Sequence, residues 1–281
     1  MSTHWAAAVL CALLAALLFA VAAVAQQSAA AAVPENQSLI RSLLRTPRWW
    51  AGVVGDAGGY AMQVAALALG AVLLVQPILV SALVFALPLS ARLNDRRVTP
   101  STWATALALT AALACFVLVG DPTEGETDAP LRDWLLPLGL LVGLIAAATA
   151  AGIAAREPAW RALLLGVASG ALYGLAAALT DYVTGLFEHG LADVLSGWQT
   201  WALVAAGVTG VYLQQRAYQV GPLTASLPAV TVAEPLAAAF IGIAVLDERL
   251  RADTAGLVVT AGAVVVMVAT TIMLSRSEAV A

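Results

Sequence analysis

Residues 63–77 read QVAALALGAVLLVQP, and residues 214–228 read QQRAYQVGPLTASLP. Each stretch begins with a glutamine, has a glycine at its centre, ends with a proline and lies inside a long apolar run. The second stretch begins 151 positions after the first (63 to 214) in a chain of 281 residues. An internal repeat of this kind inside membrane spans is typical of secondary transporters, whose two homologous halves surround a shared site.

The composition is that of an integral membrane protein. Hydrophobic residues make up 62% of the chain and charged residues only 11%, which is far more apolar than a soluble domain needs to be. Apolar runs of about 20 residues recur, and in lipid an unbroken run of that length satisfies its backbone as a helix. We therefore predict an all-α polytopic membrane protein with nine transmembrane helices, at 5–26, 49–69, 71–92, 101–119, 133–154, 160–181, 198–219, 222–246 and 254–274.

The placement of arginine predicts the orientation. The chain has no lysine, and with nine spans ten of its 13 basic residues fall on one side of the membrane. Most of the acidic residues in the loops fall on the other side. Because cytoplasmic loops are enriched in basic residues, the N-terminus is predicted outside and the C-terminus in the cytoplasm. The ten arginines are Arg41, Arg45, Arg48, Arg92, Arg96, Arg97, Arg156, Arg161, Arg216 and Arg276.

The same count makes the two halves an inverted repeat. Span 49–69 and its partner 198–219 cross the membrane in opposite directions, and the residues from Phe19 onward resemble those from Tyr173 onward. Inverted halves that rock against each other expose a site near the midplane to each side in turn. The single membrane domain, 1–281, is thus divided into a first repeat at 5–119, a connecting helix at 133–154 and a second repeat at 160–274.

Glycines four residues apart indicate where helices approach closely, because small residues at this spacing let membrane helices pack tightly. The alternative is the general richness of this chain in small residues. The series are Gly166, Gly170 and Gly174; Gly55 and Gly59; and Gly139 and Gly143.

The N-terminus allows two interpretations. Residues 5–25 are apolar and end in Ala-Val-Ala before Gln26, which resembles a signal-peptide cleavage site. The residues before this run lack the usual arginine or lysine, and the run is long for a signal peptide. We favour a retained first helix over cleavage.

Short motifs across nearly the whole chain resemble the NIPA-like, EamA-related branch of the drug/metabolite transporter superfamily. Residues 43–52, LLRTPRWWAG, resemble the segment that precedes the second span in that branch. The hairpin from Val64 to Pro77, YLQQRA at 212–217 and DERL at 247–250 resemble later motifs in the same order. The resemblance implies nine spans with an outside N-terminus and, for the best-known members, transport of magnesium.

The chain departs from this family pattern at positions that bear on the substrate. Gly59-Tyr60 stands where the family has Gly-Glu, and Gln63 stands where it has asparagine. The region 176–180 lacks the family's lysine. Because Mg²⁺ is usually held through carboxylates, the missing glutamate removes one ligand that the resemblance would supply.

Two carboxylates lie within predicted spans, where they are costly unless they face protein or water. Asp56 is either a proton or cation site or a carboxylate bonded to a neighbouring helix near the cytoplasmic mouth. Glu234, next to Pro235, is either a coupling or substrate-binding group or half of a structural pair. Arg216 is the obvious partner, but on straight helices it lies roughly 12 Å shallower, so we expect it to extend toward the cytoplasm.

Uncharged candidates complete the predicted site. Gln63 and Gln214 occupy equivalent positions in the two halves and either bind substrate or bond helix to helix. Tyr60 and Tyr173 either face an organic cation or pack in the protein. Pro77, Pro228 and Pro235 are predicted helix kinks.

A secondary transporter is the function that the sequence favours. A membrane enzyme is the rival class, but there is no HExxH or GxSxG motif, and both histidines lie outside the spans. A non-transporting membrane partner is the second rival. We expect a divalent cation or a small organic metabolite or drug as substrate. We expect the lipid bilayer as surroundings, no cofactor and no nucleic acid. Whether a metal ion binds is left open, with Asp56 and Glu234 as its candidate ligands. A homodimer is left open.

Overall fold

The computed structural model describes residues 2–69, 75, 78–93, 97–120, 129–186, 190–246 and 253–276. Every regular element in these residues is an α-helix. The helices in chain order are α1 (Ser2–Ala31), α2 (Leu39–Leu43), α3 (Pro47–Leu69), α4 (Ala82–Leu93), α5 (Pro100–Gly120), α6 (Leu131–Ala154), α7 (Pro158–Leu186), α8 (Leu191–Ser196), α9 (Trp198–Val220), α10 (Leu223–Val245) and α11 (Thr254–Arg276).

The helices and their apolar surface confirm a polytopic helical membrane protein. Within the described ranges, six helices are long and apolar enough to cross a bilayer. Large apolar side chains cover the outer surface: Leu136 on α6 is 71% exposed and Val258 on α11 is 68% exposed. That surface is suited to lipid rather than water. The six spans are Ala6–Ala31, Pro100–Val119, Leu131–Ala154, Pro158–Thr180, Leu223–Val245 and Thr254–Arg276.

Two further helices, α3 and α9, are 23 residues long but less apolar than those six. The difference comes from side chains such as Asp56 in α3 and the glutamines of α9. A shorter apolar helical segment, Ile78–Leu93, precedes α5. Gly70 and Pro77, at the predicted first hairpin, lie outside the described residues. The second hairpin is confirmed, since only Gly221 and Pro222 separate α9 from α10.

Helix α7 packs closely on α10 through the predicted glycine series. A Cβ added to Gly166 would lie 2.8 Å from the carbonyl oxygen of Ser226, and one added to Gly170 would lie 2.5 Å from that of Val230. At Gly174 the added Cβ would collide with the carbonyl oxygen of Glu234. The close approach predicted for these three glycines is therefore confirmed.

The other two glycine pairs differ from each other. On α3, a Cβ at Gly55 would lie 3.2 Å from the Cβ of Ala22, and one at Gly59 would lie 2.8 Å from the ring of Phe19, both on α1. On α6, added Cβ atoms at Gly139 and Gly143 would meet no described atom within 4 Å. At this second pair the structure favours the alternative, general richness in small residues, because these glycines face outward.

Polar contacts hold the helices together at the end where α1 and α9 finish and α7 and α10 begin. We call it the clamp end, defined by Glu35, Arg161 and Gln219. Arg161 donates two hydrogen bonds, of 2.8 and 2.7 Å, to the carboxylate oxygens of Glu35. The side-chain amide of Gln219 donates to the carbonyl oxygen of Val33 at 2.8 Å. The hydrogen bonds from Arg161 lower the pKa of Glu35 below its ordinary value.

The end of α11 reaches the same level. The guanidinium of Arg276 lies 5.6 Å from the centre of the Trp160 ring, near the start of α7. This is cation–π distance, so the contact fixes the last turn of α11 beside the first turn of α7.

Candidate functional site

A central cavity of about 250 Å³ lies among α1, α3, residues 79–83, α7, α9 and α10. Both halves of the chain line it. Its polar groups are the side chains of Gln26, Asp56, Tyr173, Gln214, Tyr218, Thr231 and Glu234, and the rest of the wall is apolar or aromatic.

Two carboxylates line this one cavity. Asp56 lies nine residues into α3, and Glu234 lies at the middle of α10, eleven residues from either end. At 1.5 Å per residue these positions are about 14 and 17 Å from the clamp end, near the middle of a 30 Å hydrocarbon layer. Glu234 is exposed at the cavity although it lies at mid-helix. The fold therefore places two acidic groups at membrane depth beside a space for a ligand.

No arginine neutralises these carboxylates within the described ranges. Arg216, the partner considered for Glu234, instead donates a 2.5 Å hydrogen bond to the side chain of Gln219 at the clamp end. Asp56 accepts a 2.5 Å hydrogen bond from the side-chain amide of Gln26. Unpaired acidic groups at this depth are expensive, so a bound cation or proton would lower the free energy of the site.

Pro235 removes one helical hydrogen bond next to Glu234. Pro235 has no N–H, so the carbonyl of Thr231, four residues earlier and at the cavity wall, loses its usual helical donor. Pro228 also lies inside α10, and the helix continues through both prolines.

Tyr173 and Gln214 form a bonded pair on the second half of the wall. The Tyr173 hydroxyl donates to the side-chain oxygen of Gln214 at 3.0 Å. The Tyr173 ring lies against Gly210, where a Cβ would come within 2.9 Å of it. Glycine at this position of α9 therefore lets the tyrosine reach the cavity.

A chain of side-chain hydrogen bonds leads from Asp56 toward the clamp end. Gln26, which donates to Asp56, accepts a 2.6 Å bond from the amide of Gln215. The side-chain oxygen of Gln215 accepts a 3.2 Å bond from the indole N–H of Trp49. Gln26 is 4% exposed and Gln215 is 1% exposed, so both amides depend on these partners. At Gly52, an added Cβ would overlap the Gln26 side chain.

The chain was also compared with known proteins. It is 36% identical to an uncharacterized protein of Corynebacterium glutamicum over 288 aligned residues, which cover 96% of this chain and 95% of the relative. The chain belongs to the family of that protein. The likeness extends along the whole membrane domain, and the relative's description names no activity. No family profile matches the chain, and no solved structure matches it.

In this family member, four of the six predicted binding residues line the central cavity: Asp56, Tyr173, Gln214 and Glu234. The other two do not. Tyr60 is 65% exposed on the outer face of α3. Gln63 is half-buried on α3 and is not part of the cavity wall.

Sequence reasoning missed several residues of the site. Gln26 was considered only as the residue after a cleavage-like motif, and Trp49 and Gln215 only as parts of motifs that resemble the transporter family. Tyr218 and Thr231 at the cavity wall were not considered. The one available signal was the number of glutamines inside apolar runs, since buried amides need partners.

Two other cavities lack this chemistry. The larger, about 650 Å³, lies between α1, α3 and α4 near the clamp end, and Arg48 is its charged side chain among the described residues. A groove of about 370 Å³ between α6, α7 and α10 is lined by apolar side chains alone. We therefore assign the site to the smaller central cavity, where the carboxylates are.

The side chains of the central cavity would bind a cation through oxygen atoms. The described residues contain no group of three or more histidine, cysteine, aspartate or glutamate side chains placed to hold a metal ion. Two carboxylates, hydroxyls and amides suit a hard cation that keeps part of its water.

Proposed function

We propose that the protein is a secondary transporter that moves a small cation by alternating access through the central cavity. The observation that supports this most directly is the pair Asp56 and Glu234, from opposite halves of the chain, at one cavity halfway along the helices. Unpaired carboxylates at membrane depth are costly and are most often part of an ion or proton path. The same groups would bind the coupling ion or the substrate.

An inverted repeat is part of the proposal, and one pair of contacts supports it. Gly59 on α3 and Gly210 on α9 are offset by 151 positions (59 to 210), the same offset as Gln63 and Gln214. Gly59 lies against the ring of Phe19, and Gly210 lies against the ring of Tyr173. Both rings line the cavity. We propose that α1–α3 and α7–α9 are equivalent helix pairs whose movement opens the cavity to each side in turn.

We also propose nine spans with the N-terminus outside and the C-terminus in the cytoplasm. In this proposed layout, the nine crossings are the six apolar helices, α3, α9 and the segment ending at Leu93. The contacts of Arg161 and Arg276 put the start of α7 and the end of α11 at one level, as this layout requires. That level is the arginine-rich side, which the positive-inside rule assigns to the cytoplasm.

For the substrate we propose Mg²⁺ or another divalent cation, in keeping with the NIPA-like resemblance. Mg²⁺ is commonly bound through one or two carboxylates while keeping several waters. Asp56 and Glu234 supply two carboxylates, and the cavity leaves room for water.

An organic cation is the second candidate, and the aromatic wall favours it. Phe19, Tyr173 and Tyr218 line the same cavity. Ring faces attract organic cations, and the apolar remainder of the wall would accept their carbon atoms.

Flux into proteoliposomes tests the proposal. Purified protein is reconstituted, and uptake of Mg²⁺ and of a panel of organic cations is measured with and without a pH gradient, against protein-free liposomes. Protein-dependent uptake of either class supports transport, and the class that moves selects between the candidates. Proteoliposomes that match the protein-free control for every solute, with folded protein present, would reject the transporter.

A further inference from the structure

The hydrogen-bond chain that ends at Asp56 has a fixed direction. The indole of Trp49 can only donate, and the ionised carboxylate of Asp56 can only accept. Gln215 must therefore present its oxygen to Trp49 and its amide to Gln26, and Gln26 must present its amide to Asp56, as they do. Both glutamine orientations are thus consistent with a negative charge at the far end.

This chain also crosses between the two halves. Trp49 and Asp56 belong to α3 and Gln26 to α1, whereas Gln215 belongs to α9. Gln26 and Gln215 each lie five residues before the end of their helix, about 8 Å from the clamp end. The two amides therefore lie between the cavity carboxylates and the clamp end.

We propose that Gln26 and Gln215 are positioning residues that couple the charge of Asp56 to the contact between the two halves at the clamp end. While Asp56 is negatively charged, its charge-assisted bond orders Gln26, which holds Gln215 and with it α9. When a cation neutralises Asp56, the first bond weakens and the halves separate at this level. The inference rests on the proposed function for the cation that occupies Asp56.

Few other groups near Asp56 could transmit a change in its charge. The ionisable groups that face the same cavity are Glu234 from α10, Tyr173 from α7 and Tyr218 from α9. Residues 79–83 contribute apolar side chains, and α1 contributes Gln26 as its polar group. Gln26 is thus the described hydrogen-bond donor to Asp56, and a bond to a charged acceptor is about twice as strong as a neutral one.

The separation of the halves can be measured without transport. Spin labels are placed on cysteines at Ala31, the end of α1, and at Glu157, just before α7, in a background lacking Cys11 and Cys115. Both sites are exposed; Ala31 ends the first helix of the first half, and Glu157 directly precedes the first helix of the second half. The variants are Asp56→Asn, Gln26→Leu and Gln215→Leu, each alone and in pairs. The matched control is Gln27→Leu, the same change one residue away, at the wall of the other cavity.

We expect one short distance in the parent protein and in Gln27→Leu. Each variant that breaks the hydrogen-bond chain should show an additional, longer distance. Loss of one charge-assisted bond should raise the ratio of separated to closed molecules by about tenfold. Paired variants should add little beyond either single change, because one chain is broken in each case.

Unchanged distances in all three chain variants, or fully additive effects in the pairs, would overturn the inference. If a leucine variant does not fold, Trp49→Phe keeps an aromatic ring but removes the indole donor and should show a smaller shift in the same direction. No shift in Trp49→Phe would count equally against the inference. Separate flux measurements distinguish this inference from the proposed transport function. If the distances change non-additively but the protein moves no solute, the transport function is rejected and the coupling between Asp56 and the clamp end stands.

Discussion

The packing of α7 on α10 predicts different effects on stability for two glycine-to-alanine changes. In Gly170→Ala the new Cβ would lie 2.5 Å from the carbonyl oxygen of Val230 and 2.8 Å from the Cβ of Ala233, where ordinary contact begins near 3.4 Å. The helices must therefore move apart by about 1 Å. Overpacking of this kind costs about 1–3 kcal/mol, which exceeds the gain of up to about 1 kcal/mol from replacing glycine in a helix.

Gly143→Ala on α6 is the matched control, because its Cβ would meet no described atom within 4 Å. This variant keeps the helix-propensity gain without the clash, so its free energy of unfolding should be unchanged or slightly raised. The two variants should differ by about 2 kcal/mol, a factor of roughly 30 in the unfolding equilibrium. Equilibrium unfolding by SDS in mixed micelles, followed by circular dichroism, measures that difference. Equal shifts in the two variants would refute the close contact between α7 and α10.

Two further predictions concern the clamp end and the topology. Arg161 lowers the pKa of Glu35 below its ordinary value of 4.5, so the stability from this pair should be present above about pH 4.5 and lost as the pH falls through the folded-state pKa. Glu35→Gln should remove that part of the acid dependence of the melting temperature, and an unchanged dependence would argue against the pair; the effect should be small because the Glu35 side chain is 51% exposed. A single cysteine at the exposed position 193 should be labelled from outside. A single cysteine at the exposed position 157 should not. The reverse pattern would reject the proposed orientation.

Most of the helices could be predicted because a span needs little more than an apolar run of sufficient length. The predicted 198–219, 222–246 and 254–274 match α9, α10 and α11 to within two residues. The helices α2 and α8 were missed, since they are five and six residues long and have no membrane-length signal. The helices α1 and α7 extend beyond the predicted spans, through residues 27–31 and 182–186, because a helix can continue past the length that crosses the hydrocarbon layer.

The side that each polar residue faces could not be predicted in the same way. Tyr60 and Tyr173 both lie in long helices, yet one is exposed on the outer surface and the other reaches the cavity through the gap at Gly210. The residues around Tyr60 and those around Tyr173 do not differ in a way that reveals which tyrosine faces the cavity. Gln26 and Gln215 are 189 residues apart, so their hydrogen bond depends on how α1 meets α9. Such contacts arise from tertiary packing and leave no local pattern.

The central claim is that the cavity carboxylates bind the cation that is transported or coupled to transport. Its most direct test is gradient-driven flux in proteoliposomes that contain Glu234→Gln, a change that keeps the shape and removes the charge. We predict that this variant folds, inserts and loses flux by at least about tenfold, while Asp133→Asn, at an exposed carboxylate outside the cavity, transports normally. Normal flux in Glu234→Gln would contradict the account.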